Sequence, residues 1–243
     1  LASFARNWFD TVPFLGTFLA LIGIQFLLVL AISQLRLPDM RGTKHDEPAR
    51  PLRVVIGQPA VIVAMIAGAL GYAVMSFVMT ATPLAILDCN YEFGDAAFII
   101  QWHVVGMYAP GFFTGNLIRR FGALGIIQAG AVLNLICLAF GLGGEDLIGN
   151  FWPSLVLLGV GWNFMFVGAT TFLTENYRPA EQARVQAINE FVVFGTVAIA
   201  SLSAGSIYAG AGWSTLLYSA ALPVGLVMLV LAGYALRRRC QPA

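Results

Sequence analysis

The sequence predicts an all-α membrane protein with seven transmembrane helices, in which one leading helix precedes a bundle of six. Of its 243 residues, 59% are hydrophobic and only 10% are charged, whereas soluble domains carry about 25% charged residues. The apolar residues also fall into seven stretches close to the 20 residues that cross about 30 Å of hydrocarbon. By residue number these stretches are 12–33, 58–87, 96–118, 124–143, 151–173, 187–209 and 214–236.

Basic residues alternate across these stretches. If each apolar stretch crosses the membrane, successive connecting segments lie on opposite sides. Twelve of the 13 Lys and Arg residues then lie on one side, and Arg6 lies on the other. Because Lys and Arg accumulate in cytoplasmic loops, we expect the chain to start outside and to end in the cytoplasm. The expected location is the plasma (inner) membrane, with the lipid bilayer as one partner.

One hydrophilic segment interrupts the apolar pattern at residues 34–57. Its prolines Pro38, Pro48 and Pro51 and its mixed charges are typical of a flexible linker. We therefore divide the chain into a leading transmembrane helix at 1–33, a cytoplasmic linker at 34–57 and a six-helix lobe at 58–243.

Several function classes lack the residues that they need. Near-balanced charge, 13 basic against 12 acidic residues, argues against nucleic acid, which requires a clustered basic face. The two histidines and three cysteines show no metal-ligand spacing, and we find no Walker loop and no HExxH motif. We therefore expect no cofactor, no metal and no catalytic residues. An intramembrane hydrolase would need a nucleophile with a base in reach, and no Gly-x-Ser-x-Gly element occurs.

A seven-helix membrane receptor stays open as an alternative. A retinal protein, which shares that topology, needs a lysine inside the membrane for its Schiff base. The one lysine, Lys44, lies in the linker, and this excludes retinal.

The turn after the third stretch carries a local motif. It reads Gly115-Asn116-Leu117-Ile118-Arg119-Arg120-Phe121-Gly122. Gly122 suits a tight reversal between helices. Gly111 and Gly115 form a GxxxG pair that would allow close helix approach. By themselves these features fit any short cytoplasmic hairpin.

In context, the turn resembles the Gly-x-Leu-x-Asp-Arg-x-Gly motif of major facilitator superfamily (MFS) transporters. The matching positions are Gly115, Leu117, Arg120 and Gly122. Arg119 stands where the family has Asp, a departure typical of the degenerate second copy between the eighth and ninth helices. The order of elements is similar to the sixth to twelfth helices of that family over essentially the whole chain.

The resemblance implies a secondary transporter of a small-molecule substrate that works by alternating access, and not an enzyme. It implies the C-terminal half of such a permease, with the N-terminal lobe of the same polypeptide missing from this sequence. The energy would come from an ion gradient, with protons as one candidate, or from the gradient of the substrate.

Polar residues inside the apolar stretches are candidates for the substrate pathway, because unpartnered polar groups are costly at membrane depth. In the second stretch they lie on one helical face, and the resemblance implies that this helix lines the central cavity. The alternative is hydrogen bonding between helices, worth about 0.6 kcal/mol each. The candidates are Tyr72, Ser76, Thr80, Gln101, His103, Tyr108, Trp162, Asn163 and Thr170.

Two titratable candidates have two interpretations each. His103 could couple proton movement to transport, since imidazole titrates near neutral pH, or it could be neutral and hydrogen-bonded to a neighbouring helix. Glu190 could be favoured by the dipole of the helix that starts near residue 187, or it could form a gate pair with Arg119 or Arg120.

Overall fold

The computed structural model describes residues 15–35 and 48–240, with the backbone alone for residues 239 and 240, and every regular element in these ranges is helical. The chain divides into two compact units, Leu1–Asp46 and Glu47–Ala243. Residues 12–14, where the first apolar stretch is predicted to start, and residues 36–47 of the predicted linker lie outside the described residues.

The first unit contains helix α1, Leu15–Ser33. Its sequence is apolar on all sides, and large side chains such as Phe18 and Leu27 are 63% and 65% exposed. A helix that is hydrophobic all round belongs in a protein core or in a membrane. The composition of α1 therefore fits lipid as its surroundings.

The second unit begins with a short helix inside the predicted linker. Helix α2 spans Leu52–Ile56, and Val55 is completely buried in the core of the unit. Residues 52–56 of the predicted linker are therefore helical, and an apolar side chain anchors them to the bundle.

Longer helices follow α2 in the second unit. They are α3 (Pro59–Asp88), α4 (Phe93–Tyr108), α5 (Gly111–Phe121), α6 (Ala123–Leu142), α7 (Trp152–Thr174) and α8 (Gln182–Cys240). A π-helical turn, Leu147–Phe151, leads into α7, and a 3-10 turn, Pro179–Glu181, leads into α8.

Helices α4 and α5 occupy the third apolar stretch and meet at an angle of 42°. The stretch predicted at 96–118 is therefore a bent pair of helices and not a straight one. Pro110 lies at the junction, and proline interrupts a helix because it has no N–H and its ring clashes with the preceding turn.

Helix α8 contains a break at Gly212, where φ is 78° and ψ is 177°. At 1.5 Å per residue an unbroken helix of 59 residues would be about 90 Å long. This is about three times the thickness of the hydrocarbon core of a membrane. In the described ranges, five helices are long and apolar enough to cross a membrane, or six when α4 and α5 count as one bent span.

Helix α7 lies at the centre of the second unit and packs against α3, α4 and α6, while α8 packs against α3 and α6. At the contact with α4 the backbones nearly touch. A Cβ atom added at Gly159 would lie 2.5 Å from the His103 carbonyl oxygen, and one added at Gly106 would lie 2.7 Å from the Val156 carbonyl oxygen. These two glycines are required because no side chain fits between the helices.

The predicted GxxxG pair does not form such a contact. A Cβ atom at Gly115 would meet nothing within 4 Å, and one at Gly111 would be 3.7 Å from Asn163 Nδ2. The expectation of close helix approach at Gly111 and Gly115 is therefore wrong within the described unit.

Candidate functional site

Aromatic side chains from four helices meet around Trp162 of α7. The Trp162 ring stacks on Phe166, with centroids 5.3 Å apart and planes 9° apart. Tyr72 of α3 meets both rings edge-on at 5.3 Å, and Phe194 of α8 lies 6.0 Å from Tyr72. Tyr108 of α4 lies 6.3 Å from Trp162. Aromatic pairs attract at about 4.5–7 Å, and we call these five residues the aromatic cluster.

The aromatic cluster extends from the interior of the unit to its surface. Trp162 is 7% exposed, whereas Tyr108 and Phe194 are 64% and 53% exposed. Trp162 Nε1 is buried with no hydrogen-bond partner among the described residues, and an unpaired buried donor costs about 1–3 kcal/mol. Three residues predicted to line a pathway thus lie together, around a buried indole N–H that has no acceptor in the described part of the chain.

Two members of the aromatic cluster, Phe166 and Phe194, are not among the site residues predicted from the sequence. The i, i+4 spacing of Trp162 and Phe166 was a usable signal, because residues four apart lie on the same helix face. Phe194 had no such signal, since its contact with Tyr72 joins α8 to α3.

The residues predicted to share one face of α3, which are Tyr72, Ser76 and Thr80, make different contacts. Ser76 Oγ lies 2.7 Å from Ser201 Oγ of α8. Thr80 is exposed and donates its hydroxyl to the Ser76 carbonyl at 2.7 Å. Ser76 therefore makes an interhelical hydrogen bond, which was the alternative to lining a pathway, while Tyr72 lies in the aromatic cluster.

Asn163 connects both halves of the bent α4–α5 segment to α7. Its Nδ2 donates to the Met107 carbonyl at 2.7 Å, and its Oδ1 accepts from the Thr114 hydroxyl at 2.7 Å. Asn163 and Thr114 are 4% and 0% exposed. Broken membrane helices are tolerated where side chains satisfy nearby backbone groups, so Asn163 stabilises the bend at Pro110.

His103 lies at the crossing of α4 and α7 and is 1% exposed. Its Nδ1 is 2.8 Å from the Leu155 carbonyl oxygen. A carbonyl only accepts, so Nδ1 carries a proton and donates it. Nε2 is buried and has no partner in the described part of the chain. This geometry supports the interpretation of His103 as an imidazole hydrogen-bonded to a neighbouring helix.

The motif turn joins α5 directly to α6 through Gly122. There φ is 79° and ψ is 153°, a backbone conformation that glycine adopts without steric cost. Arg119 is exposed and bonds to Asn116 Oδ1, while the Arg120 guanidinium lies 5.3 Å from the centre of the Phe121 ring.

Glu190 is exposed on α8. Because α8 begins at Gln182, Glu190 is more than two turns from the helix start, whereas the dipole effect falls off within the first turn. The helix-dipole interpretation of Glu190 is therefore wrong. No ion pair joins Glu190 to Arg119 or Arg120 in the described structure. Glu190 lies four positions before Phe194 on α8, so the two exposed side chains share a helix face.

The other predicted site residues lie apart from the aromatic cluster or bond within their own helix. Gln101 is exposed on α4 and Leu117 is half-buried on α5. Thr170 donates its hydroxyl to the Phe166 carbonyl at 2.8 Å. Among the residues that the structure describes, no three His, Cys, Asp or Glu side chains group together as metal ligands.

An ion pair that the sequence analysis did not single out joins Arg50 to Glu181. Arg50 Nε and Nη2 donate to Glu181 Oε1 and Oε2, both at 2.8 Å, and the Arg178 backbone N–H donates to Oε2 at 3.0 Å. Glu181 lies in the turn between α7 and α8, and its side chain is 3% exposed. The hydrogen bonds from Arg50 lower the pKa of Glu181 to about 2.

The chain is similar in sequence to known proteins that are named as transporters. No family model matches the chain. The riboflavin transporter RfnT of Brucella anthropi is 42% identical over 234 residues, which cover 94% of this chain and 58% of that protein. Two uncharacterised MFS-type transporters of Bacillus subtilis, YddS and YdeG, are each 26% identical over 180 residues, which cover 74% and 73% of this chain. These 180 residues cover 41% of YddS and 39% of YdeG.

The chain thus spans between 39% and 58% of the length of these relatives. Their names do not favour the receptor alternative, and they fit the expectation of a protein that is not an enzyme. Together with the apolar helices long enough to cross a membrane, they support a multi-pass membrane protein. Together these relatives support the identification of the chain as a fragment of a major facilitator superfamily transporter.

Proposed function

We propose that this chain is the C-terminal part of a secondary active transporter that moves a small solute by alternating access. The proposal includes seven membrane-spanning helices, with α4 and α5 forming one bent span and α8 forming two spans around Gly212. Substrates of such transporters bind near the membrane midplane between two lobes that move against each other. The second lobe would be the missing N-terminal half of the same polypeptide.

The 42% identity to RfnT over 94% of this chain carries the proposal. Riboflavin, the solute in the name of that relative, is therefore the first substrate to test. The exposed side of the aromatic cluster adds support, because pockets for organic solutes are lined mainly by apolar and aromatic side chains with a few polar groups.

The distribution of basic residues supports the proposed orientation in a plasma (inner) membrane. Arg119, Arg120, Arg178 and Arg184 would lie on the cytoplasmic side together with the C-terminus. Labelling with a membrane-impermeant reagent added to one side of the membrane would test this orientation. A cysteine introduced at the exposed Arg119 should be protected from outside.

The decisive experiment measures movement of labelled riboflavin across the membrane of vesicles that contain the intact polypeptide. We expect accumulation or release above that of vesicles without protein. Vesicles that contain only these 243 residues should show none, because half of the proposed cavity is absent. Riboflavin movement by the 243 residues alone would contradict the two-lobe proposal, and no movement by the intact protein would exclude riboflavin as its substrate.

Proton coupling is the finer part of the proposal and has its own test. His103 is the one histidine within the apolar stretches, and its bond to Leu155 supports a packing role. We therefore propose that any proton coupling does not depend on His103. The pH profile of transport should be unchanged in His103→Gln, and a flattened profile would assign the coupling to this residue.

A further inference from the structure

We propose that the aromatic cluster binds an uncharged, planar heteroaromatic solute, with Trp162 as both stacking surface and hydrogen-bond donor. This inference rests on the proposed transport function and adds the class of substrate and the residues that recognise it.

Stacking is the first part of the argument. The Trp162 and Phe166 rings are 9° from parallel, so α7 presents two flat rings together. Tyr108, which contacts Trp162, and Phe194, which contacts Tyr72, are both more than half exposed. Flat rings bind other flat rings by offset stacking or by edge-to-face contact at about 4.5–7 Å. A planar ligand fits this surface better than a flexible aliphatic one.

Hydrogen bonding is the second part of the argument. Trp162 is 7% exposed, and its Nε1 has no partner among the described residues. An indole N–H can only donate, so its partner must be an acceptor such as a ring nitrogen or a ring carbonyl. A heteroaromatic ligand carries such atoms at its edge, whereas a purely hydrocarbon ring would leave the donor unpaired.

Charge is the third part of the argument. Glu190 lies four positions before Phe194 on α8, and both side chains are exposed, so a carboxylate shares a helix face with a member of the aromatic cluster. Glu190 and the five residues of the cluster include no cation. Like charges repel strongly where water is scarce. Glu190 would therefore oppose an anionic ligand, and a phosphate ester of the solute should bind more weakly than the uncharged form.

Binding measurements on the intact protein in detergent test this inference with three probes. They are riboflavin, lumichrome (a planar tricyclic analogue without the ribityl chain) and riboflavin 5′-phosphate. Trp162→Phe keeps a ring but removes the N–H, and it should weaken riboflavin and lumichrome about fivefold to tenfold, the loss expected for one hydrogen bond. Trp102→Phe is the matched control, because Trp102 contacts Phe98 and Trp152 outside the aromatic cluster. Its affinities should stay within about twofold of wild type.

Glu190→Gln tests the charge argument separately. The wild-type protein should prefer riboflavin over its 5′-phosphate, and the ratio of the two affinities should fall about tenfold in the variant, because a neutral amide no longer repels the phosphate. An unchanged ratio would overturn the role of Glu190. Melting temperatures of all variants, measured in the same detergent, verify that each one is folded.

The results separate this inference from the proposed function. If the intact protein transports riboflavin but Trp162→Phe binds it as tightly as Trp102→Phe does, the aromatic cluster is not the site and only this inference fails. In that case the Trp162 N–H would donate to a residue of the proposed N-terminal lobe and not to the solute. If the wild-type protein neither binds nor transports riboflavin, the proposed substrate fails first.

Discussion

Arg50 and Glu181 are 131 positions apart in the sequence, and three N–H groups of Arg50 donate to the Glu181 carboxylate at 2.8 Å each. The pair connects the segment before α2 to the turn before α8. A paired, nearly buried carboxylate of this kind fixes loop geometry at one end of the bundle, because charge-assisted hydrogen bonds are the strongest class in proteins.

Glu181→Gln should lower the stability of the protein by about 2 kcal/mol, since hydrogen bonds to charged groups contribute about 1.5–3 kcal/mol. The measurement is thermal or denaturant unfolding of the purified protein in detergent. Glu175→Gln is the matched control, because Glu175 is exposed in the same loop. Equal stability of the two variants would show that the Arg50–Glu181 contact contributes little.

The contribution of Glu181 to the free energy of unfolding should depend on pH. Its pKa falls from the ordinary value of 4.5 to about 2 because Arg50 bonds to the charged form. A lowered pKa in the folded state gives stability that is fully present above the unfolded value and is lost as pH falls towards the folded value. The stability difference between wild type and Glu181→Gln should be constant above about pH 5.5 and shrink progressively below pH 4.5. A difference that is independent of pH from 6 to 3 would contradict this.

Gly159→Ala should disrupt the contact between α4 and α7. The new Cβ would lie 2.5 Å from the His103 carbonyl oxygen and 2.8 Å from the Met107 nitrogen, and overpacking costs about 1–3 kcal/mol. Gly115→Ala is the control, because nothing lies within 4 Å of its added Cβ. Melting temperatures in detergent should fall for the first variant and hold or rise for the second. A fall in both would mean that Gly115 has a packing role outside the described contacts.

Asn163→Leu should loosen the bend at Pro110. The substitution removes the donor to the Met107 carbonyl and one of the two acceptors of the Thr114 hydroxyl, which keeps the Pro110 carbonyl. Leaving the buried Met107 carbonyl unpaired costs about 1–3 kcal/mol. Thr170→Val should have a smaller effect, since the Thr170 hydroxyl bonds within its own helix. Limited proteolysis near residues 108–111, compared between the two variants, would report the loosening directly. Identical cleavage patterns would argue against a bracing role for Asn163.

The sequence by itself determined the class of the protein. Composition and the lengths of the apolar stretches predicted membrane-crossing helices, because lipid selects for apolar side chains whatever the fold around them. The motif from Gly115 to Gly122, together with the order of elements, indicated the transporter family that the names of YddS and YdeG give. Local chemistry also predicted the tight turn at Gly122.

Only the tertiary structure decided which polar residues bond to one another. Periodicity places Tyr72, Ser76 and Thr80 on one face, but it does not reveal that Ser201 faces Ser76 or that Trp162 faces Tyr72. The partners of Glu181 and Asn163 are likewise distant in sequence. The bend at Pro110 had a local signal, yet its bracing by Asn163 depends on α7. Helix periodicity fixes the face on which a residue lies, whereas packing decides what that face meets.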